Sequence, residues 1–180
     1  MVPKFSFLTK GKGVSKEKLT SFEMALRDAG IAEFNLVKVS SIMPPFCKII
    51  SKKEGLKKLS PGQIVYVVLS ESATNEHGRK VAASVGITMP ADRSQHGYLS
   101  EHHSFGQSKK EAGEYAEDLA AYMLATTLGA PFDADKNYNE QKDIWKISGH
   151  TVKTRELTSF GEGPIDGNWI TVLSAMVLII

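Results

Sequence analysis

Asn35-Leu36-Val37-Lys38-Val39-Ser40-Ser41-Ile42-Met43-Pro44-Pro45 is the stretch on which the reading of this chain turns. From Phe34 to Ile42 the residues are rich in branched apolar side chains, which favour extended backbone. Pro44-Pro45 stops that run by removing two backbone donors and restricting Met43. A serine pair is therefore expected near the end of an apolar strand with a fixed stop behind it. Taken alone, the pair has an ordinary use, because serine hydroxyls often satisfy backbone groups where a strand enters a turn.

Working outward, the segment upstream reads as a strand through Phe5 and Phe7, a turn at Gly11-Lys12-Gly13, and an amphipathic helix. In that helix Ser15 is the expected N-cap, Leu19, Phe22, Leu26 and Ala29 recur at helical spacing, and Gly30 ends the run. Downstream, strands are expected at Ile64 to Ser70, Lys80 to Met89, Gly97 to Phe105, Ile144 to Ser148, Thr151 to Leu157 and Trp169 to Ile179. A second helix opens at Ser108, where Ser108-Lys109-Lys110-Glu111 has the form of a capping box, and closes at Gly129-Ala130-Pro131. Its expected inner face is Tyr115, Leu119, Tyr122, Met123 and Leu128, and the polar stretch Asp133 to Lys142 is a loop. Many strands between two well-separated helices predict an α+β class, with helices covering mainly antiparallel sheets.

The bulk properties agree with one domain over 1–180. An apolar share of 42% in 180 residues is enough for a hydrophobic core. The formal net charge of +2, with both signs interspersed, makes no field suited to nucleic acid. The single cysteine, Cys47, cannot form an internal disulfide and fits a cytoplasmic setting. No apolar stretch approaches the roughly 20 residues that span a bilayer, so no membrane partner is expected.

The serine pair also has a chemical reading. A serine hydroxyl can attack the carbonyl of the preceding residue when the backbone is held in a strained geometry, converting the peptide bond to an ester. β-Elimination of that ester frees Ser40 with a new carboxyl terminus and leaves dehydroalanine at 41, which hydrolyses to a pyruvoyl group and ammonia. Such a ketone can form a Schiff base with an amine and take up the electrons released in a decarboxylation.

The order and spacing of several segments carry a resemblance. Phe22-Glu23 through Ala29-Gly30-Ile31, then Asn35-Leu36, then Val39-Ser40-Ser41-Ile42-Met43-Pro44-Pro45, resembles the pyruvoyl-dependent arginine decarboxylases. The likeness continues through Val85-Gly86-Ile87-Thr88-Met89-Pro90 and Gly97-Tyr98-Leu99-Ser100-Glu101 into Ser108-Lys109-Lys110-Glu111-Ala112, and weakens past Gly129.

This resemblance implies a layered αββα sandwich that cuts itself into 1–40, the β fragment, and 41–180, the α fragment. It implies a covalent pyruvoyl cofactor made from Ser41, with no pyridoxal phosphate and no metal, and a homotrimer whose active sites lie between neighbouring subunits. The reaction implied is L-arginine to agmatine and carbon dioxide, which feeds polyamine synthesis. Residue by residue, Ser40 and Ser41 form the cleavage site, Asn35 assists processing, and Glu101 returns a proton to the substrate carbon. Glu23 grips the guanidinium group, in a place where the family pattern has aspartate, and Leu26 and Ile42 line the substrate pocket. For the last two, ordinary packing is an equally good account.

Other readings stay open from sequence. The chain could be an uncut, non-catalytic regulatory or assembly subunit of the same fold, or a relative acting on a different amino acid. His96, Glu101, His102 and His103 do not make a metal site, because neighbours on a strand point to opposite faces and the spacing matches no strong zinc pattern. Gly11-Lys12-Gly13 before a helix is only superficially a phosphate-binding turn.

Overall fold

A computed structural model of the chain describes residues 1–129 and 152–180. In chain order the elements are β1 (Phe5–Ser15), α1 (Lys18–Ala29), β2 (Asn35–Lys38), β3 (Ile42–Met43), β4 (Lys48–Ile49), α2 (Lys52–Leu56), β5 (Ile64–Thr74), β6 (Lys80–Pro90), β7 (Gly97–Phe105), α3 (Lys109–Thr127), β8 (Val152–Glu162) and β9 (Trp169–Ile179). Among the described residues the strands form a five-stranded sheet, ordered β2-β5-β9-β1-β4, and a four-stranded sheet, ordered β3-β7-β6-β8. All pairings in the second sheet are antiparallel, whereas the first takes a parallel strand, β2 or β4, at each edge. α1 covers the outer face of the first sheet and α3 that of the second, and the sheets pack face to face. The αββα layering expected from the sequence is the architecture found.

Alternation along the strands builds two cores at once. Phe7, Val65, Val67, Leu69, Leu173 and Val177 point to the α1 side and pack with Ala25, Ala29 and Ile31. Their neighbours Val68, Met176 and Leu178 point the other way, toward Val85, Ile87 and Leu99 of the second sheet. Each fully buried large side chain in such a core stabilises the fold by about 1.5–3 kcal/mol, so β9, which feeds both, ties the layers together.

Four expectations are corrected. Gly11-Lys12-Gly13 is not a turn but part of uninterrupted β1. Its glycines are there for packing: a Cβ on Gly11 would lie 2.0 Å from the Ala25 carbonyl oxygen, and one on Gly13 would lie 2.2 Å from that of Ser21. α1 is not capped by Ser15, which is the last residue of β1. The helix starts at Lys18 with no side-chain cap, buries Ser21, Ala25 and Ala29, and leaves Leu19 79% exposed. Small residues win the inner face because the glycines beneath admit close approach. The third correction is that the extended run Phe34 to Ile42 is two strands in different sheets, and the fourth concerns α3. That helix has the Ser108–Glu111 capping box and ends beside Gly129 (φ 65) as expected, but its buried face is Ala112, Gly113, Ala116, Ala120, Ala121, Leu124 and Ala125, with Tyr115 and Tyr122 exposed. A Cβ on Gly86 of β6 would meet the Ala116 carbonyl at 2.1 Å, so bulky side chains are excluded from that interface.

β4, α2 with its own Ser51–Glu54 capping box, and the extension of β5 to Thr74 were not anticipated. The expected strand Ile144 to Ser148 and loop Asp133 to Lys142 lie outside the described residues.

Candidate functional site

Ser40 and Ser41 occupy the crossing between the two sheets. β2 runs along the outer edge of the first sheet beside β5. The last backbone bond to that sheet is from the Val39 N–H to the Val67 carbonyl, at 3.0 Å. The next is made to the second sheet, where the Leu99 N–H donates to the Ser41 carbonyl at 2.8 Å and β3 then pairs with β7. Between these anchors the Ile42 N–H donates to the Ser40 carbonyl at 3.0 Å, closing a three-residue turn centred on Ser41. The peptide bond between the serines is thus fixed on both sides, with its carbonyl oxygen already facing a donor.

β7 carries the second functional group. Glu101 lies opposite Val85, two residues after buried Leu99, and by strand alternation faces the space between the sheets at its open side. The Ser41 hydroxyl donates toward its Oε2 at 3.4 Å, longer than a typical hydroxyl–carboxylate bond. Glu101 is exposed in the single chain. Ile42 is 40% exposed and sits across from Tyr98 on the other face.

Three expected site residues stand apart from this pair within one chain. Asn35 begins β2, and its side-chain amide donates to the Gly62 carbonyl at 2.7 Å. The strand between it and Ser41 rises about 3.3 Å per residue, which separates Asn35 from Lys38 by about 10 Å. Glu23 lies on α1, on the far side of the first sheet, and pairs with Arg27 at 2.7 Å. Leu26 is half-buried against the core beneath α1.

A cavity of about 610 Å³ continues along the same face of β7, lined among others by Lys18, Phe22, Glu71, Ser72, His103 and Phe105. The 101, 103, 105 alternation was readable in the sequence, whereas Glu71, whose carboxylate lies 3.4 Å from the Lys38 ammonium, had no local signal. The backbone donors of Ile42 and Leu99 had none either, because any residue but proline supplies an N–H. His102 faces α3, where Nε2 meets Gln107 Oε1 at 2.7 Å and the ring lies against Tyr115, so it is turned away from Glu101 and His103. Among the described residues no helix is long and apolar enough to cross a membrane.

The comparisons with known proteins bear on the same residues. The family model for pyruvoyl-dependent arginine decarboxylase matches residues 5–180. A protein of Nitrosopumilus maritimus named pyruvoyl-dependent arginine decarboxylase is 54% identical over 180 residues, covering 100% of this chain and 98% of its own length. One of Methanococcoides burtonii with the same name is 54% identical, with 100% of both chains covered. A Methanosarcina mazei protein named pyruvoyl-dependent arginine decarboxylase 2 is 51% identical over 179 residues, covering 99% of this chain and 98% of its own. With the match running through both sheets and across the Ser40–Ser41 crossing, this chain belongs to the pyruvoyl-dependent arginine decarboxylase family.

Proposed function

We propose that the chain cuts itself between Ser40 and Ser41, and that the fragment 41–180 then decarboxylates L-arginine to agmatine and carbon dioxide at a pyruvoyl group derived from Ser41. The observation that carries this reading is the turn at the crossing, which holds the Ser40 carbonyl against the Ile42 N–H next to the Ser41 hydroxyl. In the first step Ser41 Oγ bonds to the Ser40 carbonyl carbon, and the Ile42 N–H stabilises the charge on the oxygen. The carbon–nitrogen bond then breaks, and the Ser41 amine takes up the proton lost by the hydroxyl, leaving an ester. Removal of the Ser41 Cα proton breaks the Cβ–Oγ bond and releases Ser40 as a carboxylate. Water replaces nitrogen on the remaining carbon, and ammonia leaves.

The residues present suit such a group, because the Ser41 carbonyl is bonded to the Leu99 N–H at 2.8 Å, a contact that does not involve Ser40. When formed, the group supplies a carbonyl able to condense with the substrate amine and accept the electron pair left by carbon dioxide. Neither pyridoxal phosphate nor a metal is needed. Glu101, beside the Ser41 side chain, is the acid that returns a proton to the substrate α-carbon.

The separation of Asn35, Glu23 and Leu26 from Ser41 in one chain supports a homotrimer in which neighbouring subunits complete each site. In it Asn35 donates to the oxyanion of processing, Glu23 pairs with the guanidinium, and Leu26 and Ile42 pack along the substrate. Arg27 is a weak competitor for Glu23: their pair is an exposed i,i+4 contact, with Arg27 72% exposed, of a kind worth about 0.3–0.5 kcal/mol. A cytoplasmic location suits the buried free thiol of Cys47. The test is product formation by purified protein offered arginine, ornithine, lysine, histidine or aspartate separately. Agmatine and carbon dioxide from arginine are expected. Turnover of histidine or aspartate without arginine would overturn the substrate assignment, and an uncut chain inert toward all five would indicate a non-catalytic subunit.

A further inference from the structure

Cleavage as proposed above turns residue 41 into a chain terminus, and little regular structure holds that terminus in place. β3 has two residues, paired as Ile42 with Tyr98 and Met43 with Gly97. Beyond it lies the loop Pro44–Cys47, in which Phe46 has φ 57, a left-handed conformation that bulky residues rarely adopt. That loop is gripped at two backbone positions by Arg93. Arg93, in the connection between β6 and β7, accepts from the Phe46 N–H at 3.0 Å through its backbone carbonyl. Its guanidinium donates to the Cys47 carbonyl at 2.7 Å through Nη2 and to the Met89 sulfur at 3.0 Å through Nη1.

We infer that Arg93 is a positioning residue for decarboxylation, holding the processed end of the 41–180 fragment against β7 so that residue 41 stays aligned with Glu101. The inference rests on the self-cleavage reading. The geometry gives the reason: Arg93 bonds the loop on one side and, through Met89, β6 on the other, and β6 pairs along β7 past Glu101. Before cleavage residue 41 is also tethered through Val39 to the first sheet, so losing the clamp leaves processing intact. After cleavage that tether is gone, and a displacement of about 1 Å at the reacting carbonyl is enough to lower turnover by about a hundredfold. A fork of donors is needed to reach the carbonyl and the sulfur together, and lysine offers only a point charge.

The experiment uses the full chain and compares wild type with Arg93→Ala and Arg93→Lys. Intact mass gives the fraction cleaved, steady-state assays with arginine give kcat per cleaved chain and KM, and amide exchange reports on residues 43–47. Arg93→Ala is expected to cleave fully, lose at least about tenfold in kcat with little change in KM, and exchange faster across the loop. Arg93→Lys is expected to fall between, and decides the matter if the alanine variant does not fold. Wild-type kcat in either folded variant overturns the inference, as does a failure of either folded variant to cleave, since the clamp would then act on the precursor. If wild type itself is uncut, the self-cleavage reading fails first. If wild type is cut and the variants match it, only the role of Arg93 fails.

Discussion

Upstream of Ser40 the chain is held by β1, eleven residues paired along their whole length with β9, by β2 against β5, and by α1 seated on the glycines of β1. Downstream of Ser41 it is held by the two-residue β3, the Leu99 N–H and the clamped loop Pro44–Cys47. The contrast bears on the proposed cut, because the two sides of the bond are anchored so differently. Residues 1–40 contribute β1 to the interior of the first sheet, between β9 and β4, together with α1, so after the proposed cut they are expected to stay bound by long-range pairing and burial. Residue 41, half-buried and beside Glu101, is followed by only a two-residue strand, which suits a group proposed to meet a substrate.

The sharpest way to separate the two sides is Ser41→Ala. It removes the nucleophile, so cleavage and arginine decarboxylation are expected to be abolished, while circular dichroism and the melting temperature stay near wild type. Unfolding of this variant would show that the crossing itself holds the sheets together. Glu101→Gln comes next: the chain should still be cut, with turnover reduced about 10²–10⁴-fold, the usual range for loss of a general acid. Normal turnover in a cleaved Glu101→Gln protein would remove the glutamate from the reaction.

Gly11→Val tests the upstream anchor. Its Cβ would sit 2.0 Å from the Ala25 carbonyl oxygen, a backbone atom that can yield only if α1 shifts. A loss of about 1–3 kcal/mol is expected, read as a lower denaturant midpoint and earlier dissociation of the 1–40 fragment. Unchanged midpoints would mean that α1 does not depend on close contact with β1. The smallest effect is expected from Ser108→Ala, which removes the α3 cap for about 1 kcal/mol with kcat unchanged. The Ser108 backbone N–H and hydroxyl hold the Glu111 carboxyl below its ordinary value of 4.5. A lowered carboxyl contributes stability above its unfolded pKa and loses it as pH falls through the folded one, so the difference between wild type and Ser108→Ala should shrink in acid.

The legible parts of the fold were those with a local physical cause. Ser108 and Glu111 cap α3 because both partners of the box lie within one turn, and Gly30 ends α1 because φ 71 suits a residue without Cβ. The break between β2 and β3 was hidden, because Val39 and Met43 are as apolar as a continuous strand requires, and what divides them is partnership with different sheets. Gly11 and Gly13 looked like a turn for the same reason, since their role depends on a helix that only the tertiary structure brings above them. At the site, Ser40, Ser41 and Glu101 were named from sequence and come together, whereas Ile42, next in the chain, turns its side chain to the other face of β7. Arg93 was missed because its partners are the carbonyl of Cys47 and the sulfur of Met89, neither of which leaves a pattern around it.

The central claim is tested most directly by intact mass under denaturing conditions, for wild type and Ser41→Ala, with and without borohydride in the presence of arginine. Wild type should give two fragments divided between Ser40 and Ser41, the larger lacking a free amino terminus and gaining the mass of trapped arginine on reduction, while Ser41→Ala stays whole. A wild-type chain that remains whole after prolonged incubation, with no adduct on reduction, would contradict the account.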